Sequence, residues 1–395
     1  MSPLDGLTVL DLTRVLSGPY CTMLLADMGA RVIKIEHPDR GDDTRAWGPP
    51  FVHGESAYFL SINRNKESVT LDFKRREGRA LLDRLIAKAD VLVENFRPGT
   101  LDRHGLDYKT LAAAHPALVY CSISGFGQSG PQRDRPGYDA VVQAEGGLMS
   151  VTGAADGPPY RLGVAIADLV AGLLAAQGVT LALFARTRTG HGQHVDVGML
   201  DGVTALLSYQ AGIFFATGVA PSRMGNRHPT IVPYETFEAS DGEFVLAVGN
   251  DEQFKRFCGV AGIPALAADE RFATNPARVR NYDALRPQLA DALRRRTRAG
   301  WIEALAAAGV PCGAVRDVRE VLTDPHLDAR GMIEVVEHAS AGAIRVLGVP
   351  IKLSETPGAV RTAPPTLGQH TSAVLRGDLG VTDAEIEALR GSGII

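Results

Sequence analysis

The chain has little cysteine and little excess charge. Its four cysteines stand far apart in 395 residues and show no CxxC spacing, which argues against a disulfide framework and against a zinc site built on cysteine. The formal net charge of −4 is small for this length. A nucleic-acid-binding protein normally carries a basic domain or face, so we expect no nucleic-acid partner.

Targeting signals and membrane spans are also missing from the pattern. The N-terminus has no basic segment followed by an apolar one, so no signal peptide is predicted. The longest apolar stretch lies at 161–186, contains Asp168 and three glycines, and is typical of a buried core helix rather than a membrane span. With 45% hydrophobic residues the chain can bury a core. We therefore expect a cytoplasmic protein without a membrane partner.

Two cofactor signatures are absent. The first β–α–β unit ends at Glu36, near the place of a ribose-binding acid, but the turn after its first strand has one glycine, Gly18, and no GxGxxG. A nicotinamide dinucleotide needs those glycines for close approach of the pyrophosphate. The HGQH segment at 191–194 lacks a third ligand and is predicted to be a turn, so no metal is expected.

What is present is a regular alternation of strand-like and helix-like segments. Short β-rich apolar runs separated by helical runs favour βαβ units, an α/β fold and a parallel sheet. Predicted strands lie at 7–12, 30–36, 67–73, 90–96 and 117–123, and predicted helices at 19–28, 77–89 and 107–114.

A change of composition predicts a second domain. Residues 222–237 are rich in Gly, Pro and turn formers, 242–250 is a strand pattern, and the chain is then mostly helical. We predict a large domain of 1–200 and 330–395, a small domain of 225–325, and linkers at 201–224 and 326–329. Strand character returns at 342–354, and Thr382 and Glu385 form a capping-box pattern before the last helix.

A single carboxylate, Asp168, stands at the start of the apolar helix. One interpretation is a helix cap, since aspartate accepts backbone N–H bonds there and meets the positive end of the helix dipole. The other is an anionic nucleophile, and the same position is expected to lower the pKa and keep the group ionised. The residues alone leave both interpretations open.

Two loops directly follow predicted strands. VENFRPG at 93–99 places an amide, an aromatic ring and a guanidinium at a strand end, and SISGFGQSGP at 122–131 is a Gly/Ser loop. In open α/β sheets ligands bind outside the carboxyl ends of the strands, so both loops are candidate binding elements for a nucleotide-like ligand. Taken alone, an arginine such as Arg97 is more often a solvated surface charge than a ligand contact.

Six blocks follow one another in an order that resembles one enzyme family. They are LDGLTVLDLTRVLSGPYCTMLLADMGARVIKIEHPDRGDDTR, NRNKESVTLDFK, VENFRPGTLDRHGLD, YCSISGFGQSGP, PGYDAVVQAEGGLMSVTG and GVAIADLVAGL, with TLGQHT near the C-terminus. Together they resemble the class III (CaiB/BaiF-type) coenzyme A transferases. GDDTRAWGPPF, INRNKESV and IVPYETF are most similar to the succinate–hydroxymethylglutarate and acetyl-CoA:oxalate branches.

The resemblance implies a fold and a reaction. It implies a large Rossmann-like domain built from both chain ends, a smaller α+β domain, and an interlocked homodimer. The implied enzyme moves coenzyme A from an acyl-CoA donor, such as succinyl-CoA, to a small carboxylic or dicarboxylic acid. Asp168 would be the nucleophile, through aspartyl anhydride and aspartyl-CoA thioester intermediates. No permanently bound cofactor is implied, because coenzyme A is a substrate.

The resemblance also implies a set of coenzyme A contacts. By position these are Arg14, Leu16, Ser17, His37, Leu71, Asp72, Phe73, Lys74, Asn95, Phe96, Arg97, Arg103, Pro136, Gly137, Tyr138 and Asp139. Lys74 and Arg103 would face phosphate oxygens. Arg14 replaces a histidine of formyl-CoA transferase, and its charge suggests that it pairs with the far carboxylate of a dicarboxylic substrate.

Some positions depart from the family pattern and leave alternatives open. His37 replaces an arginine of formyl-CoA transferase, and VGNDEQF replaces that enzyme's glycine run, so the oxyanion-stabilising loop stays unassigned. An α-methylacyl-CoA racemase would need a histidine where Tyr138 stands, and tyrosine is a poor base at neutral pH. A non-catalytic acyl-CoA-binding protein is a further alternative, and the sequence does not rank the acceptor acids.

Overall fold

The computed structural model describes all 395 residues, which divide into two units. Unit 1 comprises Met1–Leu148, Arg161–Gly212 and Pro325–Ile395, and unit 2 comprises Met149–Tyr160 and Ile213–Asp324. The predicted linkers belong to the units themselves, 201–212 and 326–329 to unit 1 and 213–224 to unit 2. The predicted boundaries also differ from these units for residues 149–160, which the sequence analysis assigns to the large domain. The structure groups them with unit 2, where the Gly225 N–H donates to the Gly153 carbonyl at 2.9 Å.

Unit 1 is built around six strands that all run parallel, in the order β5-β2-β1-β6-β7-β8. This confirms the predicted α/β class with a parallel sheet. The strands of the chain are β1 (Thr8–Asp11), β2 (Arg31–Glu36), β3 (Phe51–Val52), β4 (Glu55–Ser56), β5 (Lys66–Thr70), β6 (Val91–Glu94), β7 (Val119–Ser124), β8 (His194–Gly198), β9 (Tyr234–Ala239), β10 (Gly242–Ala247), β11 (Cys312–Ala314), β12 (Ile333–His338) and β13 (Gly342–Leu347).

Helices connect these strands. They are α1 (Ser17–Asp27), α2 (Ala57–Ile62), α3 (Arg76–Ile86), α4 (Tyr108–Ala114), α5 (Asp139–Glu145), α6 (Ile166–Thr189), α7 (Met199–Leu206), α8 (Ser208–Thr217), α9 (Asp251–Val260), α10 (Pro264–Ala268), α11 (Asn275–Arg280), α12 (Tyr282–Leu293), α13 (Arg298–Ala307), α14 (Val318–Leu322), α15 (Pro325–Ala329), α16 (Thr371–Leu379) and α17 (Asp383–Gly391). Short 3-10 turns lie at Asp43–Ala46, Asp102–His104 and Leu148–Val151.

The sheet of unit 1 is covered on both faces. Successive side chains of a strand point to opposite faces, so Val9 joins one apolar cluster while Leu10 joins the other. One cluster packs α3, α16 and α17 against the sheet, and the other packs α1 and α6. This burial on both faces explains why the central strands are nearly continuous apolar runs.

Helix α6 packs its small residues inward. Its buried residues are mostly alanines, and Gly172 lies so close to α1 that a Cβ there would approach the Ser17 carbonyl oxygen to 2.7 Å. By length and composition alone, α6 is long and apolar enough to cross a membrane. In unit 1 it instead forms part of the core cluster, so the predicted core helix agrees with its packing.

Unit 2 has its own core. Three antiparallel strands in the order β11-β10-β9 pack with α9, α12 and α13 around Phe244, Phe254 and Trp301. The indole N–H of Trp301 donates to the Leu293 carbonyl at 2.6 Å, so this large buried side chain leaves no polar atom unpaired.

Two details of the C-terminal segment were predicted with different success. The capping box of Thr382 and Glu385 before α17 is confirmed, with both reciprocal hydrogen bonds present. The strand predicted over 342–354 ends at Leu347, and it pairs only with β12 in a two-stranded antiparallel sheet.

The strand order fixes where a site can form. From β1 the chain proceeds to β2 and β5 on one side of the sheet and to β6, β7 and β8 on the other. The connections after β1 and after β6 therefore diverge, which leaves a crevice at the carboxyl edge between these two strands. Asp168 and most of the predicted contact residues lie at this edge.

Candidate active site

The loop after β1 is held by buried charged side chains. Asp11 is fully buried and accepts hydrogen bonds from the Thr13 N–H at 2.8 Å and the Thr13 hydroxyl at 2.5 Å. The ammonium of Lys34 donates to the Thr13 carbonyl at 2.9 Å and pairs with Asp42 at 2.9 Å. These contacts hold the loop in one backbone conformation, although it is neither helix nor strand.

Val15 lies in this loop in a left-handed conformation with φ of 70°. Its N–H donates to Asp42 Oδ1 at 3.2 Å. A β-branched residue in this region is strained by about 1–3 kcal/mol, and such strain persists where the surroundings over-determine it. The strained residue directly precedes the start of α1, where Leu16 and Ser17 lie.

The loop after β6 meets the loop after β1. The Asn95 side chain accepts from the Arg14 N–H at 2.9 Å and donates to the Arg14 carbonyl at 2.7 Å. Glu94 accepts from the Phe96 N–H at 2.8 Å. Burial raises the pKa of Glu94 to about 7, against hydrogen bonds from Ser122 and Phe96. These contacts fix Asn95 and Phe96 beside Arg14.

Asp168 lies in the first turn of α6 and is not its cap. The N-cap position is Ala165, and the carboxylate that meets the helix end is Asp139, which accepts from the Ala167 N–H at 2.8 Å. The Asp168 carboxylate instead accepts hydrogen bonds from the backbone N–H and the hydroxyl of Ser17. The helix-cap interpretation of Asp168 is therefore wrong.

Burial, together with the nearby charge of Asp139, raises the pKa of Asp168 to about 6, even though the two Ser17 hydrogen bonds lower it. The expectation of a lowered pKa is wrong, because the sequence did not reveal how much water the site excludes or that a second carboxylate lies beside it. At neutral pH the group is still mostly ionised, and it is a stronger base and nucleophile than an exposed aspartate.

Tyr58 is a site residue that the sequence analysis missed. Tyr58 is the second residue of α2. Ser56 caps that helix, and its hydroxyl accepts a hydrogen bond from the Tyr58 N–H at 3.2 Å. Burial raises the pKa of Tyr58 to about 12, and the charges of Asp168, Asp139 and Asp42 contribute. Its phenol therefore remains a neutral donor near the Asp168 carboxylate.

Asp168 lines a cavity of about 250 Å³, which we name the Asp168 cavity. The predicted residues that the structure brings together around it are Arg14, Ser17, Asn95, Phe96, Arg97, Pro136, Gly137, Tyr138 and Asp168. The approach of Gly125 and Gly137 positions the segment that carries Tyr138, since a Cβ on Gly125 would meet the Gly137 Cα at 2.6 Å.

A second cavity of about 200 Å³, the His37 cavity, adjoins the first and shares Arg14, Asp43 and Phe96 with it. The predicted residues that line it are Arg14, His37, Leu71, Asp72, Phe73, Lys74 and Phe96. The two cavities together provide an extended path along the carboxyl edge of the sheet, as a long ligand such as a coenzyme A arm would require.

Three predicted contact residues lie outside both cavity linings. Leu16 is buried in the core, with 7% of its surface exposed. Arg103 is exposed at the surface beyond the His37 cavity. Asp139 lies behind Asp168, where it bonds to Ala167 and to the Gln143 amide at 2.7 Å.

Arg14 stands where the two cavities meet. Its guanidinium pairs with Asp43 at 3.4 Å and lies over the Phe96 ring at 5.2 Å, and both ion-pair partners are about half exposed. An exposed pair of this kind contributes little to stability, so Arg14 can exchange Asp43 for an anionic ligand at small cost.

The structure holds no group of three or more His, Cys, Asp or Glu side chains that could bind a metal ion. Residues 191–193 of the HGQH segment lie outside any helix or strand, as predicted, but His194 begins β8, a strand that the sequence analysis did not predict. Its Nε2 bonds to the Ser122 hydroxyl at 2.9 Å.

Comparison with known proteins agrees with this architecture. Residues 4–371 match the profile of the CoA-transferase family III. The chain is 45% identical to acetyl-CoA:oxalate CoA-transferase of Acetobacter aceti over 97% of each chain, and 44% identical to succinate–glutarate CoA-transferase of Agrobacterium fabrum over 94% of this chain and 95% of that one. The crystal structure of a CAIB/BAIF family protein from Brucella suis superposes with a TM-score of 0.85 at 45% identity, covering 95% of this chain and 99% of that one.

Proposed function

The chain belongs to CoA-transferase family III and is an enzyme that transfers coenzyme A between acyl-CoAs and acids. From this premise we propose that Asp168 carries the coenzyme A covalently between the two acids. The observation that supports the proposal most directly is the Asp168 carboxylate itself. It lines a cavity, is held by Ser17, and has a pKa raised to about 6 by burial.

The proposed reaction begins with attack of an Asp168 oxygen on the thioester carbonyl of the donor. The C–S bond breaks, coenzyme A leaves as a thiolate, and an aspartyl–acyl anhydride forms. The thiolate then attacks the aspartyl carbonyl, which releases the donor acid as a carboxylate and leaves an aspartyl-CoA thioester. No proton is consumed in either step, and covalent capture preserves the energy of the thioester.

The second half repeats these steps with the acceptor. Its carboxylate attacks the aspartyl-CoA thioester, which gives a new anhydride and the thiolate. The thiolate attacks the acceptor carbonyl, and Asp168 is released as a carboxylate. Each addition passes through an oxyanion, for which the Ser17 N–H and the neutral Tyr58 phenol are the nearby donors.

The coenzyme A arm is proposed to lie along the two cavities. The thioester would stand in the Asp168 cavity, and the rest of the arm would pass Asn95 and Phe96 into the His37 cavity. Lys74 and His37 line that cavity and Arg97 lies beside it, so they can meet phosphate oxygens. Arg103 is proposed as a peripheral phosphate contact, since it is exposed outside the lining.

Small dicarboxylates are the proposed acids. The relatives act, by their names, on oxalate, succinate and glutarate. Arg14 lines the Asp168 cavity and holds only a loose, exposed pair with Asp43. It is therefore placed to bind the carboxylate that does not react, while the other carboxylate reaches Asp168.

A homodimer is proposed as the working form. The outer face of α6 exposes large apolar side chains, among them Leu173 at 50%, Leu181 at 60% and Phe184 at 57%. Contiguous exposed apolar surface of this kind marks an interaction site. A cytoplasmic location is part of the proposal, since all four cysteines are free thiols.

The decisive experiment compares wild type with Asp168→Asn after incubation with succinyl-CoA and a hydroxylamine quench. A hydroxamate on wild type alone, mapped by peptide mass to 161–186, supports covalent transfer. An acyl-CoA-binding protein would retain succinyl-CoA in both forms and modify neither. A racemase would exchange the α-proton of a 2-methylacyl-CoA for deuterium, which Tyr138 in place of a histidine makes unfavourable.

A further inference from the structure

Lys66 is a fully buried lysine at the start of β5, outside both cavities. Its ammonium donates to Asp11 Oδ2 at 3.2 Å, to the Pro19 carbonyl at 2.9 Å and to Asn63 Oδ1 at 2.9 Å. An ammonium has three donors, so every one of them is used. A buried charge with a complete set of partners fixes the positions of those partners.

Two of the partners belong to the elements that approach Asp168. Pro19 lies in the first turn of α1, two residues after Ser17, whose N–H and hydroxyl bond to the Asp168 carboxylate. Asn63 ends α2, which carries Tyr58 in its first turn. The Asn63 side-chain amide also donates to the Phe59 carbonyl at 3.0 Å, which holds Asn63 against α2. Lys66 thus joins the start of α1, which bonds to Asp168 through Ser17, to α2, which carries Tyr58.

The third partner leads to the strained loop. Asp11 also accepts from Thr13 and from the Thr22 hydroxyl at 2.6 Å. Thr13 is two residues before Val15, which is held at φ of 70°. Without the Lys66 charge, Asp11 would lose its nearest counter-ion. The hydrogen bonds from Asp11 to Thr13, which help to hold the backbone from Thr13 to Ser17 in its strained conformation, would then be weakened.

We infer that Lys66 is a positioning residue for coenzyme A transfer: its ammonium holds α1 and α2 so that Ser17 and Tyr58 face Asp168. The inference rests on the proposed covalent role of Asp168. It differs from a general stabilising role because loss of Lys66 should reduce the rate of the chemical step more than the binding of acyl-CoA.

The charged groups around Lys66 predict a pH signature. Asp11 faces it from β1, Lys34 from β2, Asp42 from the turn before the 3-10 segment, and Cys21 from α1. Burial, together with the charge of Lys34, lowers the pKa of Lys66 to about 8, even though the carboxylates of Asp11 and Asp42 raise it. Above pH 8 the neutral amine keeps two N–H donors for three acceptors, so one acceptor is left unsatisfied.

The test measures the single-turnover rate of adduct formation on Asp168 and, separately, the dissociation constant of succinyl-CoA. In Lys66→Met we expect the adduct rate to fall about 100-fold, as a misplaced catalytic group does, with the dissociation constant within about threefold of wild type. In wild type the adduct rate should fall as the pH rises through about 8. Arg186→Met is the matched control, since Arg186 is a partly buried cation that pairs with Asp90 at 2.9 Å at the far end of α6.

Asn63→Asp keeps the experiment decisive if Lys66→Met does not fold. An added carboxylate beside Lys66 raises its pKa, so the alkaline fall in rate should move to higher pH. An adduct rate in folded Lys66→Met within threefold of wild type overturns the inference, and so does an alkaline fall that Asn63→Asp leaves in place. Absence of the adduct from wild type overturns the proposed function itself, which is a different outcome.

Discussion

The Asp139 carboxylate caps α6 next to Asp168, and the two carboxylates accept different hydrogen bonds. Asp139 accepts the Ala167 N–H at 2.8 Å, which leaves Asp168 in the first turn free of a capping bond. The charge of Asp139 also raises the pKa of Asp168. A helix start that would normally stabilise an anion is thus shared: Asp139 makes the capping bond, and Asp168 keeps a raised pKa.

Asp168→Asn should abolish transfer and stabilise the fold at alkaline pH. The pKa of Asp168 rises from 3.8 in the unfolded chain to about 6 in the folded protein. Stability from this group is therefore greatest below pH 4 and is lost as the pH rises through 6. At pH 8 the ionised group costs about 1–3 kcal/mol, which the amide avoids.

Thermal unfolding of both proteins between pH 4 and pH 8 tests this prediction. We expect the variant to have a higher Tm at pH 8 and the difference to shrink towards pH 4. Equal Tm values at pH 8 would contradict the raised pKa and the burial of the carboxylate.

Asp139→Asn should shift the pH dependence of adduct formation, so that the rate rises at a lower pH than in wild type. In wild type the rate of adduct formation should rise as the pH increases through about 6, when Asp168 loses its proton. Removing the neighbouring charge lowers the pKa of Asp168, so the same rise should occur at a lower pH. The measurement is the pH dependence of the single-turnover rate between pH 4.5 and 7.5.

Asp43→Asn is the matched control for this shift. Asp43 also lines the Asp168 cavity, but it is not among the groups that raise the pKa of Asp168. Removing the Asp43 charge should leave the rise in rate at the same pH as in wild type. If the rise in rate moves to lower pH equally in both variants, the pKa of Asp168 depends on the net charge of the cavity rather than on Asp139 specifically.

The same sequence that predicted this fold did not predict these electrostatics. The parallel sheet follows from local patterns, because each strand is an apolar run between helical segments, and the Thr382 cap follows from two residues three apart. The pKa of Asp168 depends on Asp139, which lies 29 positions earlier, and on burial by several elements. No local pattern carries that information.

Individual residues show the same division. Asp168 was identified because its block resembles a family motif, and its position in a cavity agrees with that identification. Tyr58 was missed because AYFLSI is an ordinary short helix whose capping residue is all that a pattern reveals. β8 was missed because the sequence analysis interpreted the Gly-rich HGQH segment as a turn and did not follow the alternation of His194 and Asp196 with valines, which is a strand pattern.

Arg14→Met should raise the KM for dicarboxylate acceptors and spare monocarboxylates. Loss of a charge-assisted contact to the far carboxylate is expected to cost about 1.5–3 kcal/mol, or roughly 10- to 100-fold in kcat/KM. Steady-state kinetics with succinate and with propionate as acceptors provide the comparison. An equal loss for both acids would assign Arg14 to coenzyme A rather than to the acceptor.

Asp43→Asn should have the opposite effect on the same acceptors. Asp43 pairs with Arg14 at 3.4 Å and competes with the incoming carboxylate for the guanidinium. Neutralising it frees Arg14, so the KM for succinate should fall while the KM for propionate stays constant. An unchanged KM for succinate would mean that the exposed pair is already broken in solution.

Tyr58→Phe should lower kcat without weakening acyl-CoA binding. Its pKa of about 12 keeps the phenol protonated across the working pH range, so it can donate to an oxyanion but cannot act as a base. Removing one oxyanion donor typically costs 100- to 1000-fold in kcat, and we expect about 100-fold here because Ser17 remains as a second donor. Tyr108→Phe is the control, since that ring stacks on His194 at 5.0 Å in a separate cavity to which Asp168 does not contribute. If Tyr58→Phe raises the KM for acyl-CoA and leaves kcat intact, the phenol binds the ground state, and oxyanion stabilisation must come from the Ser17 N–H alone.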